Sequence, residues 1–168
     1  MTSLHVGMNA IPEKEMKEII VIAMSKDSMK LLCEVPIKDK ALTELDVSGK
    51  SLGTEGALVV AEYLRDNGAL SSLSLKSNGL LNKESGEALA GVLKANSVLT
   101  ELDISSNFEE YNSASRDGAG FAQALAVGLI DSGALSALDL SSNRIPPGGA
   151  EAGMLNATCK AKGVDLAL

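Results

Sequence analysis

One nine-residue stretch decides the fold of this chain: Leu99-Thr100-Glu101-Leu102-Asp103-Ile104-Ser105-Ser106-Asn107, which reads L-x-x-L-x-I-x-x-N. Related blocks begin at Met1, Leu42, Leu70 and Leu135. Within a block, apolar residues at positions 4 and 6 alternate with polar residues at positions 3, 5 and 7, which is the period of a β-strand. The blocks therefore predict several short, equivalent strands.

The residues after each block change to a helical period. After the second block, the adjacent pair Gly56 and Ala57 is followed by Ala61 and then by Leu64. The steps from Ala57 to Ala61 and from Ala61 to Leu64 are four and three residues, which is helical spacing. Each unit is therefore a strand, a turn and a helix, and only stacked units can bury their apolar faces. The Asn at position 9 is expected to hydrogen-bond backbone groups of the turn that leaves the strand.

The spacing of the blocks predicts where strands start. The starts at 42, 70 and 99 are almost evenly spaced, and the step from 42 to 70 defines the basic period. The steps from 1 to 42 and from 99 to 135 are longer, so the first and fourth units carry insertions. One period after 135 is Gly163, which places Leu166 and Leu168 on positions 4 and 6 of a sixth strand.

These blocks, with the Gly-Ala…Ala…Leu helix that follows them, resemble the leucine-rich repeat family, and within it the ribonuclease-inhibitor-like subtype with long repeats. The resemblance implies an α/β fold, a curved solenoid with a parallel β-sheet on its concave face and α-helices on its convex face. We expect residues 1–168 to form a single domain of this kind. One departure is Lys50, which replaces the Asn of the second block, so its turn must be satisfied differently.

The first insertion, 13–35, is predicted to be helical. Glu13 to Met24 has apolar residues on one face and acids near its start. Met29 to Val35 is either a second short helix, through Cys33, or a degenerate strand that starts one basic period after Met1. We favour the helix, because about seven residues would separate such a strand from Leu42, and parallel crossovers usually need a dozen or more.

The second insertion, 108–117, is a polar loop that carries Tyr111 and Arg116. It is expected to bulge at the rim, where the strand passes to the helix. It is either a neutral surface loop or a contact loop.

The net charge, the cysteine count and the spacing of reactive side chains exclude several classes of function. The net charge of −7 argues against a nucleic-acid partner and against an anionic membrane surface. Two isolated cysteines, Cys33 and Cys159, and the lack of a basic and apolar leader favour a cytoplasmic location. Nothing has metal-ligand spacing, and no His accompanies the recurring Ser and Asp, so the sequence predicts no enzyme, no metal and no cofactor.

Acidic residues recur at the strand positions expected to face solvent on the concave side: Glu44, Asp46, Glu101, Asp103 and Asp139. They form either a solvated face or an acidic groove that accepts a basic partner. The predicted function is a protein–protein interaction scaffold that uses this face, the 108–117 loop, or both. The alternative is an accessory regulator of an enzyme, of the GTPase-activating or nuclease-inhibitor type, that acts by docking. Open terminal strands add an expectation of self-association.

Overall fold

The computed structural model describes residues 2–108 and 117–168, in which short strands alternate with helices. In chain order the elements are β1 (Ser3–Leu4), α1 (Glu13–Ser25), β2 (Leu31–Leu32), β3 (Glu44–Asp46), α2 (Gly53–Arg65), β4 (Ser72–Ser74), α3 (Lys83–Leu93), β5 (Glu101–Asp103), α4 (Gly118–Ile130), β6 (Ala137–Asp139), α5 (Ala150–Lys162) and β7 (Asp165–Ala167).

The strands β3 to β7 form one parallel sheet in chain order, and the helices that connect them cover one side of it. The position-4 leucines are in register across the whole sheet: Leu45, Leu73, Leu102, Leu138 and Leu166. The predicted architecture, a solenoid with a concave sheet and a convex helical layer, is therefore confirmed. The sixth strand, predicted from the basic period, is β7.

The core lies between the sheet and the helices. In the third block, Leu70, Leu73 and Leu75 are 0–1% exposed, and they occupy positions 1, 4 and 6. The helices add larger side chains, including the fully buried Tyr63 and Phe121. Each such buried apolar side chain contributes about 1.5–3 kcal/mol of transfer free energy, and both the blocks and the helices supply them.

Close approach of α3 and α4 depends on small residues. A Cβ atom at Gly128 would lie 2.5 Å from the Cα atom of Ala90, inside van der Waals contact. Because no side chain fits there, a glycine is required at this crossing of the two helices.

A column of buried asparagines links the turns of neighbouring units, as predicted for position 9. The Nδ2 atom of Asn107 donates to the carbonyls of Leu75, Ile104 and Ser105 at 3.0, 2.9 and 3.2 Å. Its Oδ1 atom accepts from the backbone N–H groups of Asn78 and Leu80 at 2.8 and 3.2 Å. Asn107 therefore satisfies its own turn and the turn of the unit before it.

Glu55 performs this task where the column is interrupted. Lys50, at position 9 of the second block, has no side-chain oxygen that could accept from the turn of the first block. Glu55, in the first turn of α2, takes its place: its carboxylate accepts from three backbone N–H groups of the turn of the first block. The donors are Met8 at 3.1 Å, Asn9 at 3.1 Å and Ile11 at 2.9 Å. Glu55 is 2% exposed, so these bonds are shielded from water.

The prediction of a helical insertion over 13–35 is correct for α1 and wrong for the residues after it. Leu31 and Leu32 form β2, which pairs in parallel with Ser3 and Leu4 of β1, one basic period earlier. Cys33 has a φ of 47°, which is incompatible with a helix. The short connection to β3 is no obstacle, because β1 and β2 form a separate two-stranded sheet and no crossover within one sheet is needed.

Candidate functional site

The structure brings all five predicted acids to the concave sheet. Register places Glu44, Ser72, Glu101 and Ala137 in one row across the strands, and Asp46, Ser74, Asp103 and Asp139 in the next. Since neighbouring strands are about 4.8 Å apart, Asp103 and Asp139 are direct neighbours, and Asp46 lies one strand further away, beyond Ser74.

Each aspartate of the second row is held by the turn that follows its own strand. The Oδ1 atom of each aspartate accepts from the backbone N–H two residues later. Asp46 accepts from Ser48 at 2.9 Å, Asp103 from Ser105 at 2.8 Å and Asp139 from Ser141 at 2.8 Å. These are Asx turns. They fix the carboxylates in position. The second oxygen of Asp103, Oδ2, accepts from the Ser74 hydroxyl at 3.4 Å.

Hydrogen bonding also favours the charged form of Asp46. The backbone N–H of Ser48 is the main cause that lowers the pKa of this carboxyl, followed by the Ser48 side chain and the charge of Lys50. Asp46 therefore keeps its negative charge into more acidic solution than an ordinary aspartate does.

Hydroxyl groups at position 2 connect the strands beside the acids. Ser71 donates to the carbonyl of Thr43, Thr100 to that of Ser71, and Ser136 to that of Thr100, each at 3.0 Å. The spacing of the acidic rows is therefore fixed by side-chain bonds as well as by the sheet.

The space between the acids is shallow and lined by small residues. Ser72, Ser74 and Ala137 leave a hollow of about 310 Å³ that Glu101, Asp103 and Asp139 also line. The hollow has room for a long basic side chain, which would donate to these carboxylates.

Sequence reasoning missed one acid of the concave face. Asp165 of β7 pairs in register with Ala137 and is exposed, so it extends the row of Glu44 and Glu101. The signal was present, because Asp165 is position 3 of the sixth block, whose start at 163 the period predicts.

The two predicted loop residues, Tyr111 and Arg116, lie outside the described residues, so their role stays a prediction. The ends of the 108–117 insertion are described. The guanidinium carbon of Arg144 lies 4.4 Å from the centre of the Phe108 ring. At the other end, Asp117 accepts from the backbone N–H of Gly120 at 2.7 Å and caps α4.

Two further features bear on the kind of site. Within residues 2–108 and 117–168, no three His, Cys, Asp or Glu side chains are grouped in a way that could hold a metal ion. Among the helices of that part of the chain, none has the length and apolar composition to cross a bilayer.

Comparison with known proteins gives two likenesses. The Leucine Rich repeat family model matches residues 135–152. Among solved structures, the fold is similar to leiomodin-1 actin-binding site 2, with a TM-score of 0.61 and 19% sequence identity over 94% of this chain and 80% of that chain. No curated protein matches the sequence. The repeated blocks, the parallel sheet, the asparagine column and these likenesses together identify the fold of this chain as a leucine-rich repeat.

Proposed function

We propose that this chain is a protein-interaction module whose acidic concave face binds a basic segment of a partner protein. The observation that carries the proposal is the pair of in-register acidic rows, Glu44–Glu101–Asp165 and Asp46–Asp103–Asp139. The small residues between them leave room for lysine or arginine side chains.

The local bonds of the aspartates support binding. Because Asp46, Asp103 and Asp139 are already oriented by their Asx turns, these side chains would lose less conformational entropy when a partner binds. The net charge of −7 would also raise the rate of encounter with a basic partner at low salt.

The test is a selection of displayed peptides on the wild-type protein, followed by affinity measurements on variants. We expect basic peptides whose affinity falls steeply with salt and drops at least tenfold in the triple variant Asp46→Asn, Asp103→Asn, Asp139→Asn. Asparagine keeps the Oδ1 acceptor of the Asx turn, so the fold should be preserved.

A control variant removes the same number of charges elsewhere, with Glu15→Gln, Glu18→Gln and Asp27→Asn. All three positions are exposed on or just after α1. This variant should bind almost as well as the wild type. Salt-insensitive binding, or full binding by the triple asparagine variant, would rule the concave site out.

The 108–117 loop is proposed as a second contact region at the rim. Support comes from its polar composition and from Phe108 and Arg144, which stack at its start. Affinity for a selected peptide should fall in a Tyr111→Ala, Arg116→Ala variant if the loop contributes. An unchanged affinity would mark it as a neutral surface loop.

Self-association through the terminal strands is a separate proposal. Among the described residues, β7 pairs on one side only, with β6, so its other edge is open. Light scattering over a concentration series should then show a mass that rises with concentration. A constant monomer mass would reject it.

The ribonuclease-inhibitor-like subtype and a cytoplasmic location also remain proposals. The subtype is supported by the long, regular register steps from Glu44 to Ser72 and from Ser72 to Glu101. The cytoplasmic location is supported by two buried free cysteines, Cys33 and Cys159.

An accessory role on an enzyme, of the GTPase-activating or nuclease-inhibitor type, would use the same docking surfaces. Turnover assays of small GTPases and ribonucleases with and without the protein would test it. Actin, named in the description of the structural neighbour, is a further protein to assay by co-sedimentation.

A further inference from the structure

A groove runs along the helical side of the solenoid, opposite the acidic face. Its volume is about 570 Å³, and α1, α2 and α3 line it. We call it the outer groove. On α2 the lining residues are Leu58, Ala61, Glu62 and Arg65, which have the spacing i, i+3, i+4 and i+7. The groove therefore follows the axis of α2 for two turns, about 10 Å.

The floor and one wall of the outer groove are apolar. Leu58 and Ala61 of α2 form part of the floor, and Ala88 of α3 lines one side. On the other side, Val21 of α1 is 69% exposed, the largest exposed fraction among the large hydrophobic side chains of the described residues. An apolar partner surface placed here would remove Val21 from water.

The charge around this apolar strip is unbalanced. Two acids that line the groove have basic partners on their own helices, Glu13 with Lys17 and Glu62 with Arg65. Glu84, which also lines it, takes part in no ion pair among the described residues. Burial raises the pKa of the Glu84 carboxyl, and the charges of Glu13, Glu55 and Glu87 raise it further, while the charge of Lys17 offsets only part of this rise. A cation beside Glu84 would relieve this repulsion.

We propose that the outer groove docks one amphipathic α-helix of a partner protein, with an apolar stripe against Leu58 and Val21 and a lysine or arginine beside Glu84. Packed helices are about 8–10 Å apart, so a helix that lies over α2 would touch both α1 and α3. Helices that enter apolar grooves use anchors at i, i+3 or i+4, and i+7 on their own apolar face. The surface is distinct from the concave face, and the proposal does not rest on the concave site.

The test uses two fluorescein-labelled designed peptides of equal length, one with Leu and Lys on opposite faces and one with Leu and Glu. Fluorescence anisotropy should show binding of the Leu/Lys peptide only. Val21→Asp and Glu84→Lys should each weaken it at least tenfold. Both positions are exposed, so circular dichroism should stay close to that of the wild type. Glu84→Lys should lower the Tm only slightly, through the positive charge it places in the first turn of α3.

Two matched variants separate this groove from other surfaces. Val127→Asp changes another exposed valine, on α4, which is 53% exposed and does not line the outer groove. The triple asparagine variant of the concave face removes three negative charges from the opposite side. Val127→Asp should bind the Leu/Lys peptide as the wild type does. The triple asparagine variant, which lacks the concave acids, should keep the part of the binding that Val21→Asp and Glu84→Lys weaken.

The proposal is overturned if both peptides bind alike, or if Val21→Asp and Glu84→Lys leave the Kd unchanged. It is also overturned if the wild-type protein dimerises and Val21→Asp dissolves the dimer, since the occupant is then a second copy. Binding lost only in the triple asparagine variant would instead assign the peptide to the concave site. The two proposals therefore fail separately.

Discussion

The backbone N–H of Asn78 donates to the side-chain Oδ1 atom of Asn107 across 2.8 Å, and this bond joins the turns of two consecutive units. Both asparagines are fully buried. The bond belongs to a column in which each amide satisfies groups that water cannot reach.

Replacing Asn107 with Ala should destabilise the protein by about 3 kcal/mol, because unsatisfied buried polar groups cost about 1–3 kcal/mol each. Urea unfolding would measure the loss. The control is Asn9→Ala, at the same position of the first block, where the side chain is exposed and its two bonds are local. Equal losses in the two variants would contradict a special role for the buried column.

Replacing Glu55 with Gln should release the turn of the first block. The carboxylate accepts three backbone N–H bonds, and hydrogen bonds to charged groups contribute about 1.5–3 kcal/mol each, whereas a glutamine offers one oxygen and places an NH₂ group against the remaining donors. Hydrogen exchange should show faster exchange at Met8, Asn9 and Ile11, with the amide of Asn107 still protected. Glu84→Gln, in the first turn of α3, should change none of these amides. Unchanged protection in Glu55→Gln would disprove the role given to this residue.

Replacing Gly128 with Ala should destabilise the protein by about 1–3 kcal/mol, although alanine normally favours a helix, because the added Cβ would overlap Ala90. Gly153→Ala is the matched control. A Cβ at Gly153, in α5, meets nothing within 4 Å, so this change should stabilise the protein by about 0.5–1 kcal/mol. Thermal unfolding of the two variants should shift the Tm in opposite directions. A shift in the same direction would show that α3 and α4 adjust to the extra methyl group.

The lowered pKa of Asp46 predicts a pH dependence of stability. A carboxyl whose pKa is lower in the folded chain stabilises the fold above its unfolded-state pKa, and this contribution is lost as the pH falls through the folded-state value. The Tm of the wild type should therefore exceed that of Asp46→Asn at neutral pH, and the gap should close in acid.

The backbone and side-chain contributions of Ser48 to the lowered pKa of Asp46 can be separated by NMR titration. In Ser48→Ala the backbone N–H remains, and only the contribution of the side chain is removed. The pKa of Asp46 should then rise part of the way towards its ordinary value. A full return to that value would show that the hydroxyl is the main cause.

The strands could be predicted because the signal is local and repeated. The L-x-x-L-x-[LIV] blocks define β3 to β7, and their spacing defines the register of Leu45 with Leu166 and the leucines between them. The degenerate strand β2 was one of two alternatives, and the helix was favoured over it. The crossover argument that favoured the helix assumed that β2 and β3 share a sheet, which they do not. The block of β2 also carries a weaker signal, because its position 9 is Ile37 and not Asn.

Counting positions in the blocks was likewise enough to locate the concave acids. It could not predict the role of Glu55. Its partners lie 44 to 47 residues earlier in the chain, and an acid in the first turn of a helix normally indicates only a favourable charge for the helix dipole. The Asx turn of Asp103 with Ser105, in contrast, is local and could have been read from the sequence.

The division of the strands into two sheets has a consequence for how the molecule unfolds. In a repeat array, stability is approximately a sum of terms for each unit and for each interface between neighbours. Among the described residues, the interface between β1–α1–β2 and the following units has side-chain packing and the Glu55 bonds but no strand pairing, so we expect weaker coupling here than between units whose strands pair. The segment 2–35 should therefore melt as a separate unit before the five-stranded part, and the protein should depart from two-state unfolding at that boundary.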